Sequence, residues 1–416
     1  MNAQIDAEPR QALIARQPIV DRSGALVAYE LLFRRECASV TATIDDGVRA
    51  TTNVILNTVS EFGADRVLGT MGGFVNICQQ WIDREQLAVL APERFTLELL
   101  ETVEFDAATI AECKALHEQG YALALDDVVD LSSVPREVLD LVDVVKVDVS
   151  VTPAPAIERI LADAKRSQWK VLAEKVETPE QYAQLRQQGF DLFQGFFFAR
   201  PELLAQRQLP KSASTLLCLL KLLAQDPSIA QLEALVKKSP VLLTRLMKLA
   251  QSAAYGKSDG ETLTVSEAIM RVGIKALSRW VQLLLFAGDC EVDLAANPLF
   301  QMVAVRARFM ELLSEAVVAG NRSMSDAAYQ TGVYSLLHVL TGQPRAEFLS
   351  QWSIPAAQRS AIEAGNGTLG DILRIAEAID LDRSPADAIA RLGLSERTIM
   401  ALHYQANFGV AQDLRA

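Results

Sequence analysis

Histidine is scarce in this chain, with three in 416 residues, and that argues against a His-based metal centre. Cysteine is also sparse. Cys37, Cys78, Cys113, Cys218 and Cys290 are odd in number and scattered, with no CxxC pair, so they read as free thiols of a reducing cytoplasm. Basic runs are missing as well. A net charge of −12 and a pI near 5.0 argue against a nucleic-acid polymer as partner. They leave room for a small anionic ligand held by a few residues and a metal. Long apolar runs are absent too. The most apolar stretches, Leu216–Leu223 and Trp280–Phe286, are far too short to cross a bilayer, so no membrane partner is expected. The first residues, MNAQIDAEPRQ, lack the basic and apolar regions of a signal peptide, and the expected location is the cytoplasm.

What is present divides in two. The length suggests two or three domains, and half of the residues are hydrophobic, enough for sizeable cores. The first half is organised around Tyr121–Asp127 (YALALDD), a buried-strand pattern that stops on two adjacent carboxylates. Around it strand and helix alternate. Arg16–Val20 and Ala25–Phe33 suggest a hairpin turning at 21–24, and a helix is expected over 45–62. Strands are expected at 72–77, 94–100, 143–149, 170–173 and 191–198, with helices at 107–119, 154–167 and 178–188. Thr178 would be the N-cap of the last helix, with Pro179 in its first position. About eight strands alternating with helices predict an α/β fold, a barrel of parallel βα units.

Barrels of this kind do their chemistry at the C-terminal ends of the strands. Each successive strand carries an ionic or amide residue near that end: Glu30, Asn76, Glu98, Asp126 with Asp127, Lys146, Glu174 with Glu177, and Gln194. An all-oxygen set without His or Cys suits Mg²⁺ or Mn²⁺ rather than zinc. Two such ions could clamp the attacking and leaving oxygens of a phosphoryl transfer, with Asp126 between them. Lys146 would orient the water and Glu174 accept its proton. A Schiff-base role for Lys146 is disfavoured, because the carboxylates around it raise its pKa where that chemistry needs it lowered.

The order E(30)LLFR, N(76), E(98)LLE, DD(126–127), K(146)VD, AEKVE(173–177) and QGFFFARP(194–201) resembles the EAL domain over about residues 12–202. The resemblance implies a modified TIM-type (β/α)8 barrel with an antiparallel first strand, and hydrolysis of cyclic di-GMP to the linear dinucleotide. By that pattern Glu30, Asn76, Glu98, Asp126 and Asp127 would hold Mg²⁺ or Mn²⁺. Lys146 and Glu174 would act on the water, supported by Glu177 and Gln194, while Gln17 and Arg34 would contact the dinucleotide. Several positions depart from the family. Leu31 stands for the usual Ala, Cys78 for Ser, and Lys175 for Gly. After the acid pair, Val128-Val129-Asp130-Leu131 replaces a Phe-Gly-Thr-Gly loop whose expected anchor is Glu101. Glycines reach φ values that valine cannot, so this loop bears on turnover.

After Pro201 the texture is helical, rich in Leu and Ala. Ser239-Pro240 should start a helix lined by Leu242, Leu243, Leu246 and Leu249 and followed by Gly256. Ser266 should cap the next, with Ile269, Val272, Leu277, Trp280 and Leu284 on its apolar face. LVKKSPVLLTRLMKLAQSAAYG and TVSEAIMRVGIKALSRWV resemble the HDOD domain, a helical relative of metal-dependent HD phosphohydrolases. His338 is followed by Val339 rather than Asp, so it reads as a core histidine and this all-α half as a non-catalytic module for an unknown protein partner. The expected domains are 12–202, 203–400 and a C-terminal tail at 401–416. The pairing resembles the EAL–HDOD signalling proteins as a group. Three functions stay open: a barrel that binds cyclic di-GMP with a divalent metal and hydrolyses it weakly, a fully active phosphodiesterase, or a scaffold acting through protein partners. A homodimer is an expectation from the resemblance alone.

Overall fold

The computed structural model describes residues 14–33, 59, 63–77, 85–197, 213–223, 227–251, 263–286, 294–341, 344–350, 354–381, 383 and 385–413. Arg34, Cys37, Cys78, Cys290, Gly256 and nearly all of the helix expected over 45–62 lie outside them. Of the other two cysteines, Cys113 is buried, Cys218 is exposed, and both are free thiols.

Eight strands close into a barrel in sequence order. They are β1 (Ile14–Asp21), β2 (Leu26–Phe33), β3 (Gly72–Ile77), β4 (Phe95–Leu99), β5 (Ala122–Leu125), β6 (Val144–Asp148), β7 (Lys170–Glu174) and β8 (Leu192–Gln194). β1 runs antiparallel to both β2 and β8, and every other neighbouring pair is parallel. The tight hairpin explains the first reversal. The Asp21 carboxylate accepts from the Ser23 and Ala25 amides at 2.8 and 3.0 Å, and Gly24 takes φ +81°. The strand expected over 121–127 is shorter. It ends at Leu125 and leaves both acids on the loop, where charge can reach solvent or a ligand.

Ile19, Ala28, Phe74, Ala124, Val144, Leu172 and Leu192 pack together in the barrel interior. Outside, helix Ala154–Ser167 buries Ala156, Ile160, Leu161 and Ala164 on one face. Helix Pro179–Gln188 opens with the expected cap: Thr178 and Gln181 satisfy each other's backbone amides.

By contact the chain forms two compact units, Met1–Phe198 with Ser395–Ala411, and Ala199–Leu394 with Gln412–Ala416. The described part of the second unit is helical. Its two longest helices, Pro298–Val317 and Arg322–Thr341, approach closely where Gly332 faces Ala307; a Cβ there would lie 2.8 Å from the Ala307 Cα. Helix Pro240–Gln251 begins as expected, with Leu242 and Leu246 buried. Two expectations fail. The cap at 264–272 is Thr264, not Ser266, because Glu267 completes a capping box with Thr264 while the Ser266 hydroxyl bonds Glu233. One helix through Leu284 is two, broken where Gly273 takes φ +81°. The region read as a tail also differs: most of it lies in helix Glu396–Asp413, and residues through Ala411 group with the barrel.

Candidate active site

The barrel interior builds the site by simple counting. Side chains on a strand return to the same face every second residue. Glu30 follows the interior Ala28 by two, Asn76 follows Phe74, Asp126 follows Ala124, Lys146 follows Val144, Glu174 follows Leu172, and Gln194 follows Leu192. On the reversed β1, Gln17 precedes Ile19 by two. A polar layer therefore stands on an apolar one, at the strand ends.

Lys146 is the centre of that layer. Its side chain is fully buried, and Nζ lies 2.7 Å from Glu98 Oε1, 2.8 Å from Asp126 Oδ1, 3.1 Å from Glu174 Oε1 and 3.6 Å from Glu30 Oε1. A second chain of bonds rings the other side. Gln194 Nε2 donates to Glu30 Oε2 at 2.6 Å and Gln17 Oε1 at 2.5 Å, and Asn76 Nδ2 donates to Glu30 Oε1 at 3.3 Å.

Four carboxylates against one ammonium set the electrostatics. Burial alone would lower the Lys146 pKa, but Glu98, Glu30, Glu174 and Asp126 together drive it well above its ordinary value, so the amine is a cation and no Schiff-base nucleophile. Burial, then repulsion from Glu30, pushes Glu98 well above the carboxylate range. Burial also raises Glu174 to about 7, against the pull of Lys146. A buried site that drives protons onto its acids lacks positive charge.

The donor types, though not their present placement, suit a divalent cation. Glu98 Oε2 is buried without a hydrogen-bond partner, and the surrounding donors are all oxygen, the choice of Mg²⁺ and Mn²⁺. As placed, no three acidic, histidine or cysteine side chains among the described residues form a metal cage, since the carboxylates are drawn onto Lys146.

The remaining expected residues stand apart. Asp127 is exposed, with φ +48°, because the odd step after Asp126 turns it away from the interior. Partial desolvation on the barrel side, then the charges of Asp126 and Glu101, raises its pKa. Glu101 is exposed and acts on Asp127 as a like charge, with no anchoring bond to the loop among the described contacts. Glu177 is exposed; its amide donates to Gln181 Oε1 at 2.9 Å beside the helix cap.

The loop that replaces glycines closes without them. Val128 is buried and its amide donates to the Lys146 carbonyl at 3.0 Å; Leu131 is buried, and Ser132 bonds the Asp130 carboxylate. The left-handed conformation falls on Asp127 instead, and none of residues 128–131 takes positive φ. Lys175, in the other glycine position, takes φ +55° and pairs with Asp148. That pairing was missed in the sequence, although Asp148 stands two residues beyond Lys146 on the same face. A cavity of about 510 Å³ lies elsewhere, lined by Val129, Leu131, Arg136, Arg159, Ile160 and Trp169 among others, and none of the expected site residues line it.

The family model of the EAL domain matches residues 68–201, and that of the HDOD domain matches 208–341. The chain is an EAL–HDOD protein. It is 27% identical over 347 residues to "Uncharacterized protein YuxH" of Bacillus subtilis, covering 82% of this chain and 84% of that one. It is 26% identical over 373 residues to "Cyclic di-GMP phosphodiesterase CdgJ" of Vibrio cholerae, covering 88% of this chain and 84% of that one. A crystal structure of an EAL domain protein from Listeria monocytogenes shares 22% identity, covers 45% of this chain and 87% of that chain, and superposes with a TM-score of 0.37. In the HDOD region His338 is buried, and burial with Arg345 and Arg306 lowers its pKa to about 4. No described helix of this EAL–HDOD chain is long and apolar enough to cross a membrane.

Proposed function

We propose that the barrel binds cyclic di-GMP together with Mg²⁺ or Mn²⁺ and hydrolyses one of its phosphodiester bonds to give the linear dinucleotide. The carrying observation is the convergence of Glu30, Glu98, Asp126 and Glu174 on Lys146, with one Glu98 oxygen left unpartnered. The curated relative named a cyclic di-GMP phosphodiesterase, which aligns over 88% of the chain, supports the substrate.

Glu30, Asn76, Glu98, Asp126 and Asp127 are the residues that would hold the cation, which when bound supplies Lewis-acid polarisation of the phosphate and lowers the pKa of a water. Lys146 keeps its proton and offers a fixed positive charge to water or phosphate oxygen. Glu174, 3.1 Å from Lys146 at the mouth of the site, is the carboxylate placed to take a proton from water. Gln17 and Gln194 present amide groups to the ligand side of Glu30, and Arg34 would add a phosphate fork. Glu177 and Glu101 would act from the periphery. The helical unit would carry the signal to a protein partner.

Binding without turnover is the second reading. It is favoured by the carboxylates being held on Lys146 and by Asp127 being turned outward, both of which must change before two cations can sit side by side. Incubation of the full chain with cyclic di-GMP and Mg²⁺ or Mn²⁺, followed by chromatography, decides between them. Linear dinucleotide lost in Glu30→Gln and Asp126→Asn supports hydrolysis. Micromolar binding with no product supports sensing, and neither result rejects the nucleotide altogether.

A further inference from the structure

Parallel strands are joined by crossovers that lay a helix over the outside of a barrel, whereas a hairpin contributes none. β1 and β2 are such a hairpin. Their outward residues nonetheless need cover: Tyr29 and Leu31, which alternate with the inward Ala28 and Glu30, are both buried.

The far end of the chain reaches this outer face at Arg16. Arg16 on β1 points outward, because Gln17 and Ile19 point in. Its guanidinium lies 4.6 Å from the centre of the Tyr29 ring. Nη1 donates to the Val67 carbonyl at 2.8 Å, and Nη2 donates to Asn407 Oδ1 at 2.6 Å. Asn407 belongs to helix Glu396–Asp413 and is held there by its own bond to the His403 carbonyl at 2.9 Å. Ile399, His403, Ala406 and Val410 of this helix are buried, at the four-three-four spacing of a single face. The helix lies beyond both matched domains, which end at residues 201 and 341.

We propose that this C-terminal helix is a latch on β1 and that Asn407 is a positioning residue for Gln17, acting through Arg16. Arg16 and Gln17 are neighbours on one strand with opposite faces, so tying the first outside sets the height and rotation of the second inside. Gln17 accepts from Gln194, which also bonds Glu30. The barrel unit is thus completed by residues that follow the helical unit in sequence. The effect on ligand rests on the reading of Gln17 as a dinucleotide contact; the latch itself does not.

The test uses the full chain with Asn407→Leu, which keeps the shape and loses the acceptor, and Asn407→Asp, which keeps an acceptor for Arg16. Amide hydrogen exchange over residues 14–33 should quicken about tenfold in Asn407→Leu, the effect expected of one charge-assisted hydrogen bond. Protection should return in Asn407→Asp, and helices Pro298–Val317 and Arg322–Thr341 should exchange as in the parent. The KM or Kd for cyclic di-GMP should rise about tenfold in Asn407→Leu while kcat stays within about twofold. Unchanged protection of 14–33 overturns the latch. Lost protection with unchanged affinity overturns the positioning role. Should the parent bind no cyclic di-GMP, the functional reading fails, and the exchange result alone upholds or overturns the latch.

Discussion

At Lys146 the barrel places one fully buried ammonium among four acidic side chains, and removing it would strip each of them of its buried partner. Lys146→Met should therefore cost about 3–5 kcal/mol in the unfolding of the barrel unit. Urea denaturation in chelator measures it; a loss under about 1 kcal/mol would show that the acids are protonated rather than paired. Two neighbours carry the backbone strain of the site. Asp127 and Lys175 take φ +48° and +55°, each tolerable for an unbranched polar residue and costly for a β-branched one. Valines at 128 and 129 therefore meet no left-handed backbone: the turn is made one residue earlier, on Asp127. The residue types were legible in the chain, because an acid or amide near the end of each strand is unusual. Their roles were less so. Nothing in the run YALALDD says that Asp126 faces in and Asp127 faces out until the strand's inward parity is known.

Among the elements, a close junction joins the loop after β7 to the end of β8. The Val176 amide donates to the Gln194 carbonyl at 3.0 Å, and Gly195 has φ +142°. A Cβ at 195 would lie 2.1 Å from the Val176 carbonyl oxygen. Gly195→Ala should accordingly lower the stability of the barrel by about 3 kcal/mol or more, since backbone must move to admit it. A urea midpoint close to that of the parent would contradict the close approach. The elements themselves were readable where pattern and caps agreed. Helix Ala154–Ser167 and the Thr178-Pro179 start fall where periodicity and capping chemistry put them. Ser266 misled because Thr264 and Glu267 form the reciprocal box, and Gly273 broke what the apolar spacing joined.

For the whole molecule, acid acts on the helical unit through one buried histidine. His338 is buried in the helical unit with a pKa near 4, against an ordinary 6.5. The unfolded chain takes up a proton there at higher pH than the folded one, so stability is lost as pH falls from 6.5 toward 4. The full loss is roughly 3 kcal/mol. Thermal or urea unfolding across that range should show it, and His338→Leu should flatten the difference; parallel curves for the two proteins would refute the assignment. The pairing of Arg306 with Asp380 at 2.7 Å and with Ser335 at 2.9 Å binds three helices of the same unit. Such long-range ion pairs leave no local sequence pattern. Periodicity and residue type alone were enough for the strand and helix alternation, the ionic and amide residues near the strand ends and the change to a helical second half. Only the folded chain could settle what depends on distant residues meeting: which acids share Lys146, where the left-handed turn falls, and that Asn407 of the last helix meets Arg16 of β1.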